Sequence, residues 1–207
     1  IKIFLFLLSL GMPGILRAQE PFAPDSAIRA IIDERVASKR AMGLVVAVFE
    51  QGKQPRILTA GVSGKAGLPL DGNTLFEIGS ITKTFTGSLL ADMVLRGEVR
   101  FDDPISKYLP KSVRVPSRNG KQITLLDLAT QSSGLPRLPN NIHPADVSNP
   151  YADYTVQQLY DFLSGYELTR DIGTTYEYSN LGVGLLGHVL SLRAGKPYGE
   201  LLKSRIL

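Results

Sequence analysis

Ser80 and Lys83 stand three residues apart in "FEIGSITKTFTG" (76–87), and Tyr178 and Asn180 stand two apart in "DIGTTYEYSNLGVGLLG" (171–187). The first spacing occurs nowhere else in the chain as Ser-x-x-Lys, nor the second as Tyr-x-Asn. On a helix, residues three apart share a face, so the Ser80 hydroxyl and the Lys83 amine can meet. A serine hydroxyl is a poor nucleophile until a neighbour removes its proton. A lysine does this only when burial and nearby dipoles lower its pKa from ~10.4 toward neutrality. A helix N-terminus favours both the neutral amine and a developing alkoxide. A phenol near a cation can ionise and act as a general base, and an amide can bond a lysine and a substrate carbonyl together.

Two other readings of the first stretch are weaker. A phosphate-binding loop needs G-x-x-x-x-G-K-[ST], but Thr82 precedes Lys83 and Gly79 lies four positions upstream. Ser80 as a plain helix N-cap is chemically sensible but leaves Lys83 unexplained.

The elements that must position these groups follow from periodicity. Ile81, Phe85, Leu89 and Met93 recur every four residues, predicting a helix of about four turns that ends at Arg96 before Gly97. Burial of each of the four is expected to contribute ~1.5–3 kcal/mol. Thr124 and Asp127 form a T-x-x-D capping pair that opens a second helix in "ITLLDLATQSSG", with Gly134 as its expected stop. Further helices are predicted over 155–165 and 181–195, the latter rich in glycine and apolar residues and so buried on most sides. Upstream, Ile28, Ile31, Ile32 and Val36 predict an amphipathic helix over 28–37. The β-branched runs 44–50 and 56–64, separated by "QGKQP", predict an antiparallel hairpin. The proline-rich stretch 135–154 lacks periodicity and is expected at the edge of a pocket, with Tyr151 and Tyr154 at its end.

Composition bounds the function. At 43% hydrophobic and 20% charged, the 207 residues suit a folded soluble protein. The net charge of +4 includes Lys2 and Arg17, which lie in a leader-like start, so the remainder carries 21 basic against 19 acidic residues. No clustered basic stripe is present, which argues against nucleic acid as a partner. The start "IKIFLFLLSLGMPGILRAQE" has the pattern of a secretory signal cleaved after Ala18, and its apolar run is shorter than the ~20 residues of a membrane span. Residues 1–18 are therefore expected to be a signal peptide and 19–207 the working domain, in the periplasm or secreted. The absence of cysteine excludes disulfides and thiolate chemistry.

The histidines offer little. A zinc site wants three or four suitable ligands and a Ser-His-Asp triad wants G-x-S-x-G, which is absent. His143 is expected in a loop and His188 packed on a helix. Asp102-Asp103-Pro104 and Asp171 read as turn chemistry, and Ser132 and Ser133 as a helix end.

Taken together and in order, "FEIGSITKTFTG", "ITLLDLATQSSGLP" and "GTTYEYSNLGVGLLG" resemble three landmarks of the serine β-lactamase and penicillin-binding superfamily. The resemblance is to its class C, D-alanyl-D-alanine carboxypeptidase and family VIII esterase branch, and it runs from about Gly43 to the chain end. It implies Ser80 as the acylated nucleophile, Lys83 as its proton partner, Tyr178 as the base for acylation and deacylation, and Asn180 as the orienter of substrate and lysine. The base assignment is disputed in a sister class, so Tyr178 and Lys83 are treated as one coupled unit. The implied fold is mixed α/β (α+β): an antiparallel sheet flanked by helices plus a mainly helical lobe, with the site in the cleft between them. The implied substrate is a β-lactam, a D-Ala-D-Ala peptide or a small ester, acted on by a monomer with no metal or organic cofactor and no stable membrane span. The alternatives are an esterase of the same fold, a penicillin- or peptidoglycan-binding module without turnover, and an inactive fragment.

One departure stands out. The superfamily's third motif, K-[ST]-G or H-x-G after the Tyr-x-Asn segment, is absent; the sole K-x-G is Lys65-Ala66-Gly67, upstream of Ser80. With the chain stopping at "LLKSRIL" in an uncapped helix, a C-terminally truncated domain is expected, lacking its last strands and one oxyanion-hole donor. Loss of one such donor costs ~10²–10³ in turnover. The 207 residues alone are therefore expected to show little or no multiple-turnover hydrolysis; substantial hydrolysis by the purified chain, abolished by Ser80→Ala, contradicts this.

Overall fold

The computed structural model describes residues 22–64 and 67–207, so the signal-peptide reading at 1–18 and residues Lys65 and Ala66 lie outside the described residues. The chain divides into two compact units, one ending at Glu77 and the other spanning Ile78–Leu207.

In the first unit, helix α1 (Asp25–Ala37) packs beside a two-stranded antiparallel sheet of β1 (Gly43–Val48) and β2 (Arg56–Gly61), in register Val45↔Thr59 and Val46↔Leu58. The helix starts three residues before the predicted Ile28. Pro24 precedes it with extended backbone, and Asp25 in its first turn meets the helix dipole and pairs with Arg56. Ile32, Val48, Leu58 and Ala60 form a small core, flanked by Ile28, Val36, Leu44 and Val46. Both strands are shorter than their apolar runs. Phe49, just past β1, is exposed, and β2 stops at Gly61, whose left-handed φ of +76° breaks the extended run.

The second unit is mainly helical. Helix α2 (Thr82–Leu95) follows a 3-10 turn, Gly79–Ile81, and ends at Arg96 and Gly97 as expected. A small hairpin, β3 (Ser117–Arg118) with β4 (Lys121–Gln122), precedes α3 (Leu125–Ala129). Then come α4 (Val156–Gly165), α5 (Asn180–Ala194) and α6 (Tyr198–Arg205). The Thr124/Asp127 capping box is present, and Thr155 with Gln158 forms a second. One continuous core joins Leu89, Leu90 and Met93 of α2 to Leu125 and Leu128 of α3, Phe162 and Leu163 of α4, and Leu185, Leu186 and Val189 of α5. As expected, α5 is largely buried, and Gly195 closes it at φ +64°, a backbone that glycine adopts without steric cost.

Two expectations are corrected. The buried stripe of α2 is Thr86, Leu89, Leu90 and Met93, at helical spacing, whereas Ile81 is 58% exposed and Phe85 only partly buried. The four-residue ladder drifts around the helix, because four residues exceed one turn. Helix α3 ends at Ala129 rather than near Gly134, because Gln131 takes a left-handed φ of +62°.

A polar knot secures the turn after α2. The buried Asp103 carboxylate accepts bonds from the Arg100 N–H (2.7 Å), Lys107 Nζ (2.7 Å) and Tyr108 Oη (2.5 Å). This bears out the turn reading of Asp102-Asp103-Pro104. Burial alone would raise this carboxyl, but the bonds from Lys107 and Tyr108 outweigh it and hold the pKa at about 2. A depressed carboxylate stabilises the fold above its unfolded pKa of ~3.9, and that contribution is lost as pH falls through the folded value. Asp103→Asn is therefore expected to lower unfolding free energy by about 2 kcal/mol at neutral pH. The deficit should shrink between pH 4 and about 2 in denaturant titrations; a pH-independent difference contradicts the assignment.

Candidate active site

All four predicted site residues lie in the second unit, and the fold brings them together. Gly79, at φ +52°, turns the chain in the left-handed region that glycine tolerates, and Ser80 follows in the 3-10 turn that leads into α2. Ser80 does not cap the helix: Ile81 occupies the N-cap position and no side chain caps it. The Ser80 hydroxyl is turned instead to its chemical neighbours. Its Oγ lies 2.5 Å from Tyr178 Oη and accepts from Lys83 Nζ at 3.1 Å. Lys83 Nζ also donates to Asn180 Oδ1 at 2.8 Å and lies 4.7 Å from the centroid of the Tyr178 ring.

The Tyr178 side of this cluster is held by its own loop. Buried Ser179 is the N-cap of α5: its Oγ accepts from the Gly182 N–H at 2.8 Å and donates to the Pro136 carbonyl at 2.6 Å. The Asn180 and Leu181 N–H groups donate to the Arg137 carbonyl at 3.0 and 3.2 Å. The loop at 136–137 thus grips the start of α5, and Asn180 is the helix's first residue. Asp171 behaves as turn chemistry: its side chain accepts from Arg118 and Asn119, and its carbonyl from Thr174.

Electrostatics favour ionisation of the phenol. The Lys83 side chain first, then the Ser80 hydroxyl, hold Tyr178 below the usual tyrosine range; the charges of Lys83 and Arg137 add to this and partial desolvation opposes it. The Arg137 guanidinium lies 5.0 Å from the ring centroid. Composition and periodicity gave no signal for Arg137, a lone cation in a proline-rich loop. A phenolate beside a fixed ammonium can accept the hydrogen of a serine hydroxyl, and the ammonium can stabilise the resulting charges.

Space adjoins the cluster. A cavity of about 520 Å³ is lined by Lys83, Thr86, Asn180, Gly184, His188 and Tyr198, among others. A second, of about 240 Å³, shares Asn180 and is walled by Leu138, Ile142, Tyr151, Tyr154 and Leu185. The expectation that Tyr151 and Tyr154 mark a pocket edge is met, and Tyr151 Oη accepts from Asn180 Nδ2 at 3.4 Å. Neither lining includes Ser80 or Tyr178. His188 is a packed residue of α5 whose Nε2 is 2.8 Å from Tyr160 Oη and whose pKa burial lowers; His143 lies in a loop. Among the described residues no cluster of three or more His, Cys, Asp or Glu side chains is placed to hold a metal ion. No helix among them is long and apolar enough to cross a membrane.

The fold is of the β-lactamase type, mixed α/β, and is shared with solved structures. A β-lactamase/D-alanine carboxypeptidase from Yersinia pestis, complexed with citrate, superposes with a TM-score of 0.71 at 29% identity, over 88% of this chain and 53% of that one. The chain belongs to the Beta-lactamase family, whose profile matches residues 28–207. Among curated relatives, the D-alanyl-D-alanine-carboxypeptidase/endopeptidase AmpH of Escherichia coli K12 is 37% identical over 135 residues, covering 65% of this chain and 34% of that protein. A β-lactamase of the same strain is 32% identical over 180 residues, covering 86% of this chain and 44% of that protein. The chain thus spans less than half the length of these two curated relatives.

Because Lys83 is the first cause of the phenol's low pKa, Lys83→Met is expected to raise the Tyr178 pKa toward the ordinary ~10. Carbon NMR of ring-labelled tyrosine, assigned with Tyr178→Phe, measures this; a Tyr178 titration that Lys83→Met leaves in place contradicts the coupling.

Proposed function

We propose that this chain carries the acylation centre of a serine hydrolase acting on a β-lactam or a D-Ala-D-Ala-type peptide. The observation that carries it is the Ser80 Oγ placed within hydrogen-bond reach of both Tyr178 Oη and Lys83 Nζ. In this reading Tyr178, as phenolate, takes the Ser80 proton while Oγ bonds to the substrate carbonyl carbon and the carbonyl electrons move to oxygen. Lys83 holds the phenol in its ionised form and Asn180 holds Lys83. Collapse of the tetrahedral species breaks the carbonyl–nitrogen bond, and the proton held by Tyr178 passes to the departing nitrogen. Water then bonds to the ester carbonyl carbon as the same phenolate takes its proton; the carbonyl–Oγ bond breaks and that proton passes from Tyr178 to Ser80 Oγ, which restores the serine.

The names of the relatives, a carboxypeptidase and a β-lactamase, support amide substrates of these two kinds. The apolar pocket of Tyr151, Tyr154 and Leu138, sharing Asn180 with the cluster, supports a substrate with an apolar substituent. The leader-like start supports an exported protein working in the periplasm or outside the cell.

Incubation with a fluorescent penicillin tests the proposal, read by intact mass and peptide mapping. One adduct on Ser80 is expected even where turnover is slow, absent in Ser80→Ala and formed ~10²–10⁴ more slowly in Tyr178→Phe. Label on another residue, or none on Ser80 with any penicillin, cephalosporin or short-chain ester, contradicts it.

A further inference from the structure

Among the described residues, Gln131 is the one buried residue that bonds the chain on both sides of Tyr178. Its carbonyl accepts the Glu177 N–H at 2.8 Å, and its side-chain Oε1 accepts the Ser179 N–H at 2.6 Å. One residue thus fixes the Tyr176–Glu177 peptide ahead of Tyr178 and the Tyr178–Ser179 peptide that follows it.

The backbone of Gln131 makes this unusual. Helix α3 ends in a double-bonded turn: the Ser132 N–H donates to the Asp127 carbonyl at 2.9 Å and the Gln131 N–H to the Leu128 carbonyl at 3.4 Å. That is the Schellman pattern, in which the left-handed position is usually glycine. Here a glutamine occupies it at φ +62°. A side chain in that region is strained and persists where the surroundings require it, most often near functional sites. Glycine would satisfy the turn and keep the carbonyl bond to Glu177. It could not supply the amide that receives the Ser179 N–H.

We propose that Gln131 is a positioning residue for the acylation centre, holding the Tyr178 peptide so that the phenol meets Ser80; this rests on the function proposed above. Gln131 does not touch Ser80, Lys83 or the phenol oxygen. It acts through the Ser179 amide and, through Ser179, on the N-terminus of α5 that presents Asn180. The groups that charge the phenol's surroundings are Lys83 from α2 and Arg137 from the loop, and Glu177 beside it is paired with Arg170. Gln131 adds no charge; its effect is geometric.

Gln131→Gly separates this role from a structural one, because it removes the strained side chain and the grip together. The expected result is a melting temperature close to that of the parent, relief of the backbone strain offsetting the lost Ser179 bond, with Ser179 amide exchange about tenfold faster. The Tyr178 phenol is expected to titrate closer to an ordinary tyrosine, and Ser80 acylation by a fluorescent penicillin to slow about 10²-fold. Gln131→Glu keeps an acceptor at the same reach and is expected to restore most of the Ser179 protection. Unchanged Ser179 exchange and Tyr178 titration in Gln131→Gly overturn the proposal, as does a Gln131→Glu amide as unprotected as that of Gln131→Gly. A fall in melting temperature with unchanged titration assigns Gln131 to the fold alone and also overturns it. Should the parent itself fail to acylate, the function proposed above fails, while exchange and titration still decide the role of Gln131.

Discussion

A positive charge fixed beside a phenol is the interaction on which the site depends. Lys83 Nζ reaches Ser80 Oγ in the turn just before its own helix and Asn180 Oδ1 on another helix, and lies near the Tyr178 ring. Together with the Ser80 hydroxyl it holds the phenol below the usual tyrosine range, which in the function proposed above readies Tyr178 to accept the serine proton. The placement is a matter of packing. Lys83 is the second residue of α2 and Asn180 the first of α5, so their meeting requires the two helices to pack closely. Leu89, Leu90 and Met93 on one and Leu185, Leu186 and Val189 on the other, all buried, supply that packing. The polar cluster is exposed enough to admit a substrate, and the apolar core behind it fixes the spacing.

The rest of the frame is polar and local. The segment from Gln131 to Arg137 supplies acceptors to the Tyr178 loop at Gln131, Ser132, Pro136 and Arg137. The Pro136 carbonyl takes the Ser179 hydroxyl; the other bonds satisfy backbone N–H groups that would otherwise be costly to bury, and together they fix a loop that has no regular structure of its own. Asp127, in turn, closes the capping box at the start of the helix leading into this segment. One short helix and its exit thus frame the phenol, which explains why "ITLLDLATQSSGLP" travels with the two catalytic-type motifs in the resemblance.

Much of this was legible in the sequence, where local chemistry decides. Ser-x-x-Lys and Tyr-x-Asn named the four residues that come together, and Thr124 with Asp127 named a capping box that forms. The long helices were visible because burial imposes a period on their apolar residues. What was not legible depends on contacts between distant segments. Nothing about Arg137 announces that its carbonyl holds α5 and its guanidinium lies over Tyr178, 41 positions away in the chain. Gln131 was hidden for a different reason: the glycine expected to end α3 was the next one in the sequence, Gly134, whereas a glutamine took the left-handed turn. Strand ends were overestimated where apolar residues run past the regular ladder, as at Val62, which lies beyond Gly61 and makes an isolated bridge to Pro69. The exposure of Ile81 follows from reading a period of four where the helix has 3.6.

Joint action of Lys83 and Tyr178 on Ser80 can be measured with a double-mutant cycle. The rate of Ser80 acylation by a fluorescent penicillin would be measured in the parent, Lys83→Met, Tyr178→Phe and the double variant. Groups that share one proton path lose their effect together, so the double variant is predicted to acylate at about the rate of the slower single variant. Rate losses that multiply would show that the two side chains contribute independently, and would contradict the relay.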